Sequence, residues 1–256
     1  MTERAFETWE LSALYGAPVL LLKSSPSTHA EMRSLFGKIP PGTLIVADEQ
    51  SEGRGRHERK WQSPAGKNLY FNILLPVKAK KLSQASQIMQ IAALSMAELF
   101  RKMGAAKVNV KWPNDLVSEG RKLCGVISEI LPANGSFLMS LGIGLNVNVS
   151  AEFLAGVGRP ATSLAILLGR ELNREALLQS IVDELGRALK LYEERGMAPW
   201  LEAWRKMDQF IGAHARIVEG ETFVPGTVLG VNDDGSLSFQ REDGQILSIH
   251  SGDLEI

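Results

Sequence analysis

Hydrophobic and polar positions along the first part of the chain predict buried strands, one helix and one loop. Thr28 is predicted to be the N-cap of the helix, because Thr28 and Glu31 have the spacing of a capping box, and the helix is predicted to end near Gly37. The polar segment 48–60 is predicted to be a loop. Short apolar runs lie at residues 18–22, 43–47 and 69–75, and the last two are typical of buried strands.

The middle of the chain predicts a long helix followed by successive strands. Ser83 caps the helix, whose apolar positions recur at helical spacing, and Gly104 ends it. Asn134-Gly135 is a strong hairpin signal, so the strands on either side are expected to be antiparallel neighbours. Strands and helices are segregated, which predicts an α+β fold with a central mixed or antiparallel sheet. The strands are predicted at residues 107–112, 123–131 and 137–147, and later helices at residues 162–168, 174–195 and 200–207.

The C-terminal part of the chain has a different pattern, with short β-rich runs separated by turn residues. Gly220, Asp234-Gly235 and Asp243-Gly244 punctuate these runs. The pattern predicts a small β-barrel whose boundary lies near Gly212, so the chain is divided into domains 1–211 and 212–256. Its strands are predicted at residues 215–218, 222–224, 226–231, 236–240 and 245–249.

Composition narrows the class of protein without naming a function. The chain has 256 residues, 45% of them hydrophobic and 22% charged, which is typical of a soluble globular enzyme. A formal net charge of −1 gives no overall attraction to nucleic acid or to an anionic membrane. Cys124 is the one cysteine, so no intrachain disulfide is possible. The sequence shows neither a signal peptide nor an apolar run of about 18 residues, and a cytoplasmic protein is predicted.

The strongest local signal is the segment 49–61, which contains Gly53-Arg54-Gly55-Arg56 and ends at Trp61. Glycines allow the backbone to approach a ligand closely, and arginines offer planar donors for phosphate or carboxylate. A solvated basic loop or an RNA-binding patch is the alternative at this point. Net charge near zero and the lack of aromatic residues between the arginines weaken the RNA interpretation.

Two further segments are less specific. Lys111-Trp112-Pro113-Asn114-Asp115 is a turn that is most often structural. It is followed by Lys122, and a hairpin here would place Asp115 and Lys122 together at one end of the sheet. Gly142 and Gly144 lie inside a strand pattern, where glycine marks a bulge or the close approach of another group, and we take a bulge as the simpler interpretation.

In this order, the three segments resemble the biotin–protein ligases, from about Pro18 to the C-terminus. The resemblance implies a class II synthetase-like catalytic fold with a C-terminal SH3-like β-barrel. It implies that biotin and ATP form biotinyl-5'-AMP and pyrophosphate, and that biotin then passes to a lysine of a biotin carboxyl carrier protein. Mg²⁺ is expected with the triphosphate, and no metal ligand of the protein is assigned. An edge strand of the sheet is a candidate homodimer contact.

The resemblance also implies site residues, some of which depart from the family pattern. His29 replaces the usual asparagine, Pro26 the usual aspartate, and Glu58 a common glycine. The expected catalytic residues are Lys122, Arg54 and Arg56. The expected biotin contacts are Ser27, Thr28, His29, Gln50, Gly53, Arg54, Gly55, Arg56, Lys122 and Gly125. The expected ATP or adenylate contacts are Arg56, Arg59, Trp61, Asn114, Asp115, Lys122 and Asn146.

Two other functions are compatible with the same segments, and several other residues are expected to have no part in the site. A lipoate–protein ligase is the nearest rival, and a ligand sensor without turnover is another. Family members with repressor activity carry a winged-helix domain before the Ser27 segment, and none is expected here, so no operator binding is expected. The four histidines, at positions 29, 57, 214 and 250, are expected to be surface or structural residues, Cys124 to be buried and inert, and Trp9, Trp200 and Trp204 to lie in the core or an interface.

Overall fold

The structure is a computed structural model that describes residues 5–56, 59–77, 83–133, 136–219 and 222–255. The predicted turn at Asn134-Gly135, the glycine at position 220, and His57 and Glu58 of the arginine segment lie outside the described residues. So do the residues just before Ser83, and the predicted cap at Ser83 therefore stays a prediction.

A seven-stranded sheet forms the centre of the larger part of the chain. Its strands lie in the order β1-β2-β3-β7-β6-β5-β4. β1 and β2 are parallel, and the other neighbours are antiparallel, so the sheet is mixed, as predicted. The strands are β1 (Val19–Ser25), β2 (Leu44–Gln50), β3 (Leu69–Val77), β4 (Val108–Lys111), β5 (Asp115–Ser118), β6 (Arg121–Ala133) and β7 (Ser136–Leu145).

Helices cover this sheet unequally. The helices are α1 (Thr28–Leu35), α2 (Ser83–Lys102), α3 (Ala151–Ala155), α4 (Leu164–Leu168), α5 (Arg174–Arg195) and α6 (Ala198–Met207), with 3-10 turns at Phe6–Thr8 and Leu14–Gly16. α2 packs against α5 and α6 and against strands β4, β5 and β6, whereas α1 packs against β2, β3 and β7. No described helix is long and apolar enough to cross a membrane.

The alternation of side chains along β7 separates the two faces of the sheet. Leu141, Ile143 and Leu145 belong to the main hydrophobic core, together with the residues of α2 and α5. Gly142 and Gly144 face the opposite side, where they approach His29 and Trp61. This second face carries the candidate site.

The C-terminal strands form a separate antiparallel sheet in the order β11-β10-β9-β8-β12. They are β8 (His214–Glu219), β9 (Thr222–Val231), β10 (Leu237–Arg241), β11 (Ile246–Ile249) and β12 (Asp253–Glu255). Val228, Leu237 and Phe239 of this sheet belong to the same core cluster as the first sheet. Within the described residues no pairing of β11 with β12 closes the sheet, so the predicted barrel is confirmed only as a five-stranded sheet.

Several predicted boundaries were wrong, and in each case a contact distant in sequence decided the outcome. The predicted loop 48–60 begins only after Gln50, because Glu49 and Gln50 pair with β1. β5 was missed, since its four residues gain their order by pairing with strands on both sides. α3 and β12 were also missed, and two strands predicted around Pro225 are the single strand β9.

The N-cap of α1 lies one residue before the predicted one. Ser27, rather than Thr28, is the N-cap, since the Ser27 Oγ accepts a hydrogen bond of 3.0 Å from the Ala30 N–H. Thr28 is the first residue of the helix. Its hydroxyl does not cap the helix and donates to the Gln50 Oε1 instead.

Candidate active site

A cavity that is partly open to solvent lies on the face of the first sheet that α1 borders. It collects residues from α1, the ends of β2 and β5, strands β6 and β7, the arginine segment and the C-terminal strand β12. Thirteen of the residues predicted for the site line it: Ser27, Thr28, His29, Gln50, Arg54, Gly55, Arg56, Arg59, Trp61, Asn114, Asp115, Lys122 and Gly125.

Lys122 enters this cavity because of a β-bulge in β6. Leu116 pairs with Cys124 but Val117 pairs with Lys122, so the register shifts by one residue. Leu123 and Cys124 are consequently both buried in the core, and Lys122 and Gly125, three residues apart, both line the cavity. In a regular strand they would lie on opposite faces. A bulge was predicted in β7, but the bulge lies in β6.

Asp115 and Lys122 form an ion pair, as the hairpin argument predicted. The Lys122 Nζ lies 2.7 Å from the Asp115 Oδ1, and both side chains are about one-fifth exposed. The backbone of Lys122 is held from the other side, since its N–H donates to the Pro160 carbonyl and its own carbonyl accepts from the Thr162 N–H. Lys122 is therefore a positioned cation rather than a freely moving one.

Trp61 covers the sheet where two glycines leave room for it. A Cβ atom on Gly144 would lie 2.7 Å from the Trp61 Cε2, and one on Gly125 would lie 3.4 Å from the Trp61 Cζ3. β7 pairs without a register shift through Gly142 and Gly144, so these glycines mark the close approach of another group and not a bulge. The buried Trp61 Nε1 finds no acceptor within the described residues, which leaves a donor for a ligand.

The arginine segment is tied to the C-terminal sheet. The Arg59 Nη2 lies 2.6 Å from the Asp253 Oδ2, and the Arg56 Nη1 lies 3.4 Å from the Asp253 Oδ1. The Arg56 Nη2 also donates to the Gly252 carbonyl at 3.1 Å. Arg54 is more exposed and has a longer contact of 3.6 Å with Glu52. Two cations at the cavity therefore share one carboxylate.

Gln50 lines the cavity and connects β2 to α1. Its Oε1 accepts from the Thr28 N–H at 2.9 Å and from the Thr28 hydroxyl at 3.3 Å. Its Nε2 donates to the Ser63 Oγ at 3.0 Å. Gln50 is thus held in one orientation, which suits a side chain that recognises a polar ring.

Residues 20–147 match the profile of the biotin/lipoate A/B protein ligase family. The bifunctional ligase/repressor BirA of Escherichia coli (strain K12) is 32% identical over 247 residues, which are 96% of this chain and 76% of that protein. The chain belongs to the biotin/lipoate A/B protein ligase family. Within the family it is also 27% identical, over 234 residues, to a biotin–(acetyl-CoA-carboxylase) ligase from Paracoccus denitrificans, covering 88% of this chain and 95% of that protein.

A solved family structure has the same fold. The biotin protein ligase from Aquifex aeolicus in complex with biotin and ATP is 28% identical and has a TM-score of 0.78, covering 93% of this chain and 97% of that one. The mixed sheet with helices described above is therefore the fold of the biotin protein ligases.

Two predicted site residues of this family member do not line the main cavity. The Gly53 carbonyl accepts from the Trp61 N–H at 2.8 Å, and a Cβ atom on Gly53 would lie 2.5 Å from the Trp61 carbonyl oxygen. Gly53 therefore lets the segment fold back on itself. Asn146 lines an adjoining cleft that shares Trp61, Lys122 and Arg159 with the cavity. Asn114 lines the cavity, but its amide nitrogen donates to the backbone carbonyl of Val126.

Sequence reasoning missed six residues of this family member's cavity: Ile127, Gly142, Ile143, Gly144, Arg159 and Asp253. The glycines were noticed but interpreted as a bulge. Arg159 and Asp253 belong to no motif, and no sequence signal pointed to them. Arg159 lies over the Trp61 ring at 5.8 Å, a cation–π contact that only the folded chain creates.

Cys124 and three tryptophans of this family member are buried, as predicted. Cys124 is fully buried, and burial raises the pKa of its thiol, which keeps it protonated. Trp9, Trp200 and Trp204 are buried in the core. Within the described residues no group of three or more His, Cys, Asp or Glu side chains could hold a metal ion.

Proposed function

We propose that this chain is an ATP-dependent biotin–protein ligase that forms biotinyl-5'-AMP and pyrophosphate and then transfers biotin to a lysine of a biotin carboxyl carrier protein. The observation that carries the proposal is the meeting of Lys122, Arg56 and Arg59 with Gln50 in one cavity. Such a site suits a ligand with a polar ring at one end and a carboxylate at the other. The relatives' names support biotin and acetyl-CoA carboxylase as its context.

In the first step the biotin carboxylate attacks the α-phosphorus of ATP and pyrophosphate leaves. The step brings one anion to another, so cations that are already in place lower its barrier. Lys122, held by Asp115 and by its backbone contacts, lies where the carboxylate and phosphate would meet. Arg54, Arg56 and Arg59 lie along the cavity and would bind the phosphates. Mg²⁺ enters as the complex with ATP.

In the second step the amine of an acceptor lysine attacks the carbonyl carbon of the mixed anhydride, and AMP leaves. No residue of the enzyme forms a covalent intermediate. Because the anhydride is prone to hydrolysis, retaining it in the site is part of the function. The arginine segment, held to Gly252 and Asp253 by Arg56, is the part of the chain that we assign to retention.

The adenosine part of the nucleotide is best accommodated in the cleft that adjoins the cavity. This cleft shares Trp61, Lys122 and Arg159 with the cavity and is otherwise lined largely by apolar side chains, among them Phe153, Leu154 and Val157. Apolar walls suit a purine ring, and Arg159 offers a flat cation for stacking. Asn146 lies at the same cleft.

The larger organisation of the chain also belongs to the proposal. We place the domain boundary at Gly212, and we propose that the five C-terminal strands form an SH3-like barrel, since the long strand β9 pairs with both β8 and β10. The edge of the first sheet is the candidate homodimer contact, because an edge strand leaves backbone groups unpaired. A cytoplasmic location fits the single buried cysteine.

Pyrophosphate release tests the proposal directly. Purified protein is incubated with Mg²⁺-ATP and either biotin or lipoate. Release that depends on biotin supports the proposal, and release that depends on lipoate supports the rival ligase. A protein that releases no pyrophosphate with either ligand would be a sensor without turnover. Lys122→Ala should abolish release without unfolding the protein, whereas Lys206→Ala, which removes an exposed lysine of α6, should not. Normal release by folded Lys122→Ala protein would refute the role of Lys122.

A further inference from the structure

Four polar side chains are clustered beside the cavity, on the face of the sheet that carries the candidate site. They are His29, Asn72, Glu129 and Ser140, and they lie next to the small apolar cluster of Met32, Ile45 and Leu74. Asn72 and Ser140 are buried, and the side chains of His29 and Glu129 are about one-quarter exposed. The function described above assigns no task to Asn72, Glu129 or Ser140.

The contacts of this cluster determine which ring nitrogen of His29 carries the hydrogen. The Ser140 hydroxyl donates to the Asn72 Oδ1 at 3.0 Å, which leaves the Asn72 Nδ2, a donor only, facing the His29 Nδ1 at 3.2 Å. The His29 Nδ1 must therefore accept, and the ring hydrogen lies on Nε2, which faces the Glu129 Oε2 at 2.8 Å. The Arg33 guanidinium donates to the other oxygen of Glu129. We call these contacts the His29 relay.

The relay holds His29 in its neutral form. Burial lowers the pKa of His29, and Glu129 opposes this effect only in part, while Arg33 adds to it. A protonated ring would place a hydrogen on Nδ1, directly opposite the amide donor of Asn72, and the relay would have to break. The charged groups that face the ring are Glu129 from β6 and Arg33 from α1, and Arg54 and Arg56 line the same cavity.

The strand register separates His29 from Lys122 along the cavity. Gly125 pairs with Gly144, Ile127 with Gly142, and Glu129 with Ser140. The first pair lies under Trp61 and beside Lys122. The third pair carries the relay, about 13 Å further along β6 at a rise of about 3.3 Å per residue. A biotin whose carboxylate met Lys122 could extend its ring system along this row toward His29.

The row is packed closely enough for His29 to act as a wall. A Cβ atom built on Gly142 would lie 3.2 Å from the Ile127 Cγ1, 3.3 Å from the Asn72 Nδ2 and 3.5 Å from the His29 Nδ1. The space between Gly142 and the ring is about that of one methyl group, so the ring cannot move far toward the sheet. Asn72 and Glu129 hold it from two other directions.

We propose that His29 is a specificity-determining residue for the biotin ring system: fixed by the relay, it closes the far end of the cavity and excludes ring systems larger than that of biotin. This inference rests on the proposed function. His29 acts through its size and its fixed orientation, and it takes no part in the bond changes at Lys122.

The test compares biotin with biotin sulfone, which carries two additional oxygens on the ring sulfur. The readout is kcat/KM for pyrophosphate release, and one extra group in a closed pocket should disfavour the sulfone by about tenfold or more in the wild-type protein. His29→Ala should reduce this preference at least severalfold. Ser34→Ala, at an exposed site on the same helix, should leave it unchanged, and His29→Gln, which can still donate to Glu129, should fall between the wild type and His29→Ala.

Three results would overturn the inference. One is a wild-type protein that uses biotin but accepts the sulfone equally well, and another is a folded His29→Ala protein with the wild-type preference. The third is a ¹⁵N histidine spectrum at pH 7 that shows His29 protonated or with its hydrogen on Nδ1. A wild-type protein that releases no pyrophosphate with biotin itself would instead refute the proposed function.

Discussion

Asp253, in the last strand of the chain, lies 2.6 Å from Arg59 through its Oδ2 atom, and this contact joins the C-terminal sheet to the candidate active site. The same carboxylate contacts Arg56. Without it, two like charges would face each other in a partly buried place. The C-terminal sheet is therefore part of the site and not only a neighbour of it.

We predict that Asp253→Asn, which keeps the shape but removes the charge, raises the KM for ATP by about threefold to tenfold and the KM for biotin by less. The two arginines would repel each other and lose the orientation that suits the phosphates. Steady-state kinetics with each substrate varied in turn is the measurement. Asp243→Asn, which removes an exposed acid of the same sheet, is the control. Equal increases for both substrates would argue against this role.

We predict that Arg56→Gly still makes biotinyl-adenylate but releases it, because Arg56 joins the arginine segment to Gly252 and Asp253. A free mixed anhydride acylates exposed amines, so an unrelated lysine-rich protein should become biotinylated. Wild type and variant are incubated with biotin, Mg²⁺-ATP and that protein, which is then blotted for biotin. A slow variant that leaves the bystander unlabelled would mean that Arg56 serves the chemical step and not retention.

We predict that Gln50→Ala weakens biotin binding more than ATP binding, since Gln50 offers a fixed polar side chain to the cavity and carries no charge that would bind phosphate. The loss should be about tenfold for biotin, as for one buried polar partner. Calorimetry with each ligand measures it. A thermal melt controls for the contacts to Thr28 and Ser63, and equal losses for both ligands in a folded variant would contradict the prediction.

We predict that Gly144→Ala displaces Trp61, because the new methyl group would lie 2.7 Å from a rigid indole ring. The ring cannot bend away as a long side chain can, so adenylate formation should fall at least tenfold. Trp61 emission, measured against a Trp61→Phe reference, should shift to longer wavelength as the ring is exposed. Unchanged emission and unchanged activity would show that the backbone of β7 shifts to accommodate the methyl group and that Trp61 stays in place.

We predict that His29 lowers the stability of the fold at mildly acidic pH. Burial holds the pKa of His29 below its ordinary value of about 6.5, so the unfolded chain takes up this proton before the folded chain does. The stability contribution is present above pH 6.5 and is lost as the pH falls toward the folded-state pKa. Urea unfolding at pH 7.5 and 5.5 should show a smaller loss for His29→Gln than for wild type. An identical loss in both would contradict the lowered pKa.

Local pattern was enough for the parts of this protein whose order comes from the chain itself. The apolar stripe at residues 174–195 coincides with α5, because a period of 3.6 needs no knowledge of the partner surface. The arginine segment and the Asp115–Lys122 hairpin were predictable as chemistry, since glycine, arginine and turn residues act over a few positions. Thirteen of the fifteen site residues that the family resemblance implied line the cavity.

The sequence by itself therefore determined the longer helices and most strands, the α+β class and most of the residues that line the cavity. Only the tertiary structure decided which strand holds the bulge that turns Lys122 into the cavity, and that Asp253 reaches Arg56 from the far end of the chain. A periodic pattern specifies which face of an element is buried, but it does not specify the partner or the register. Those depend on the packing of whole sheets, where Gly144 makes room for Trp61 and Gly142 lies against His29.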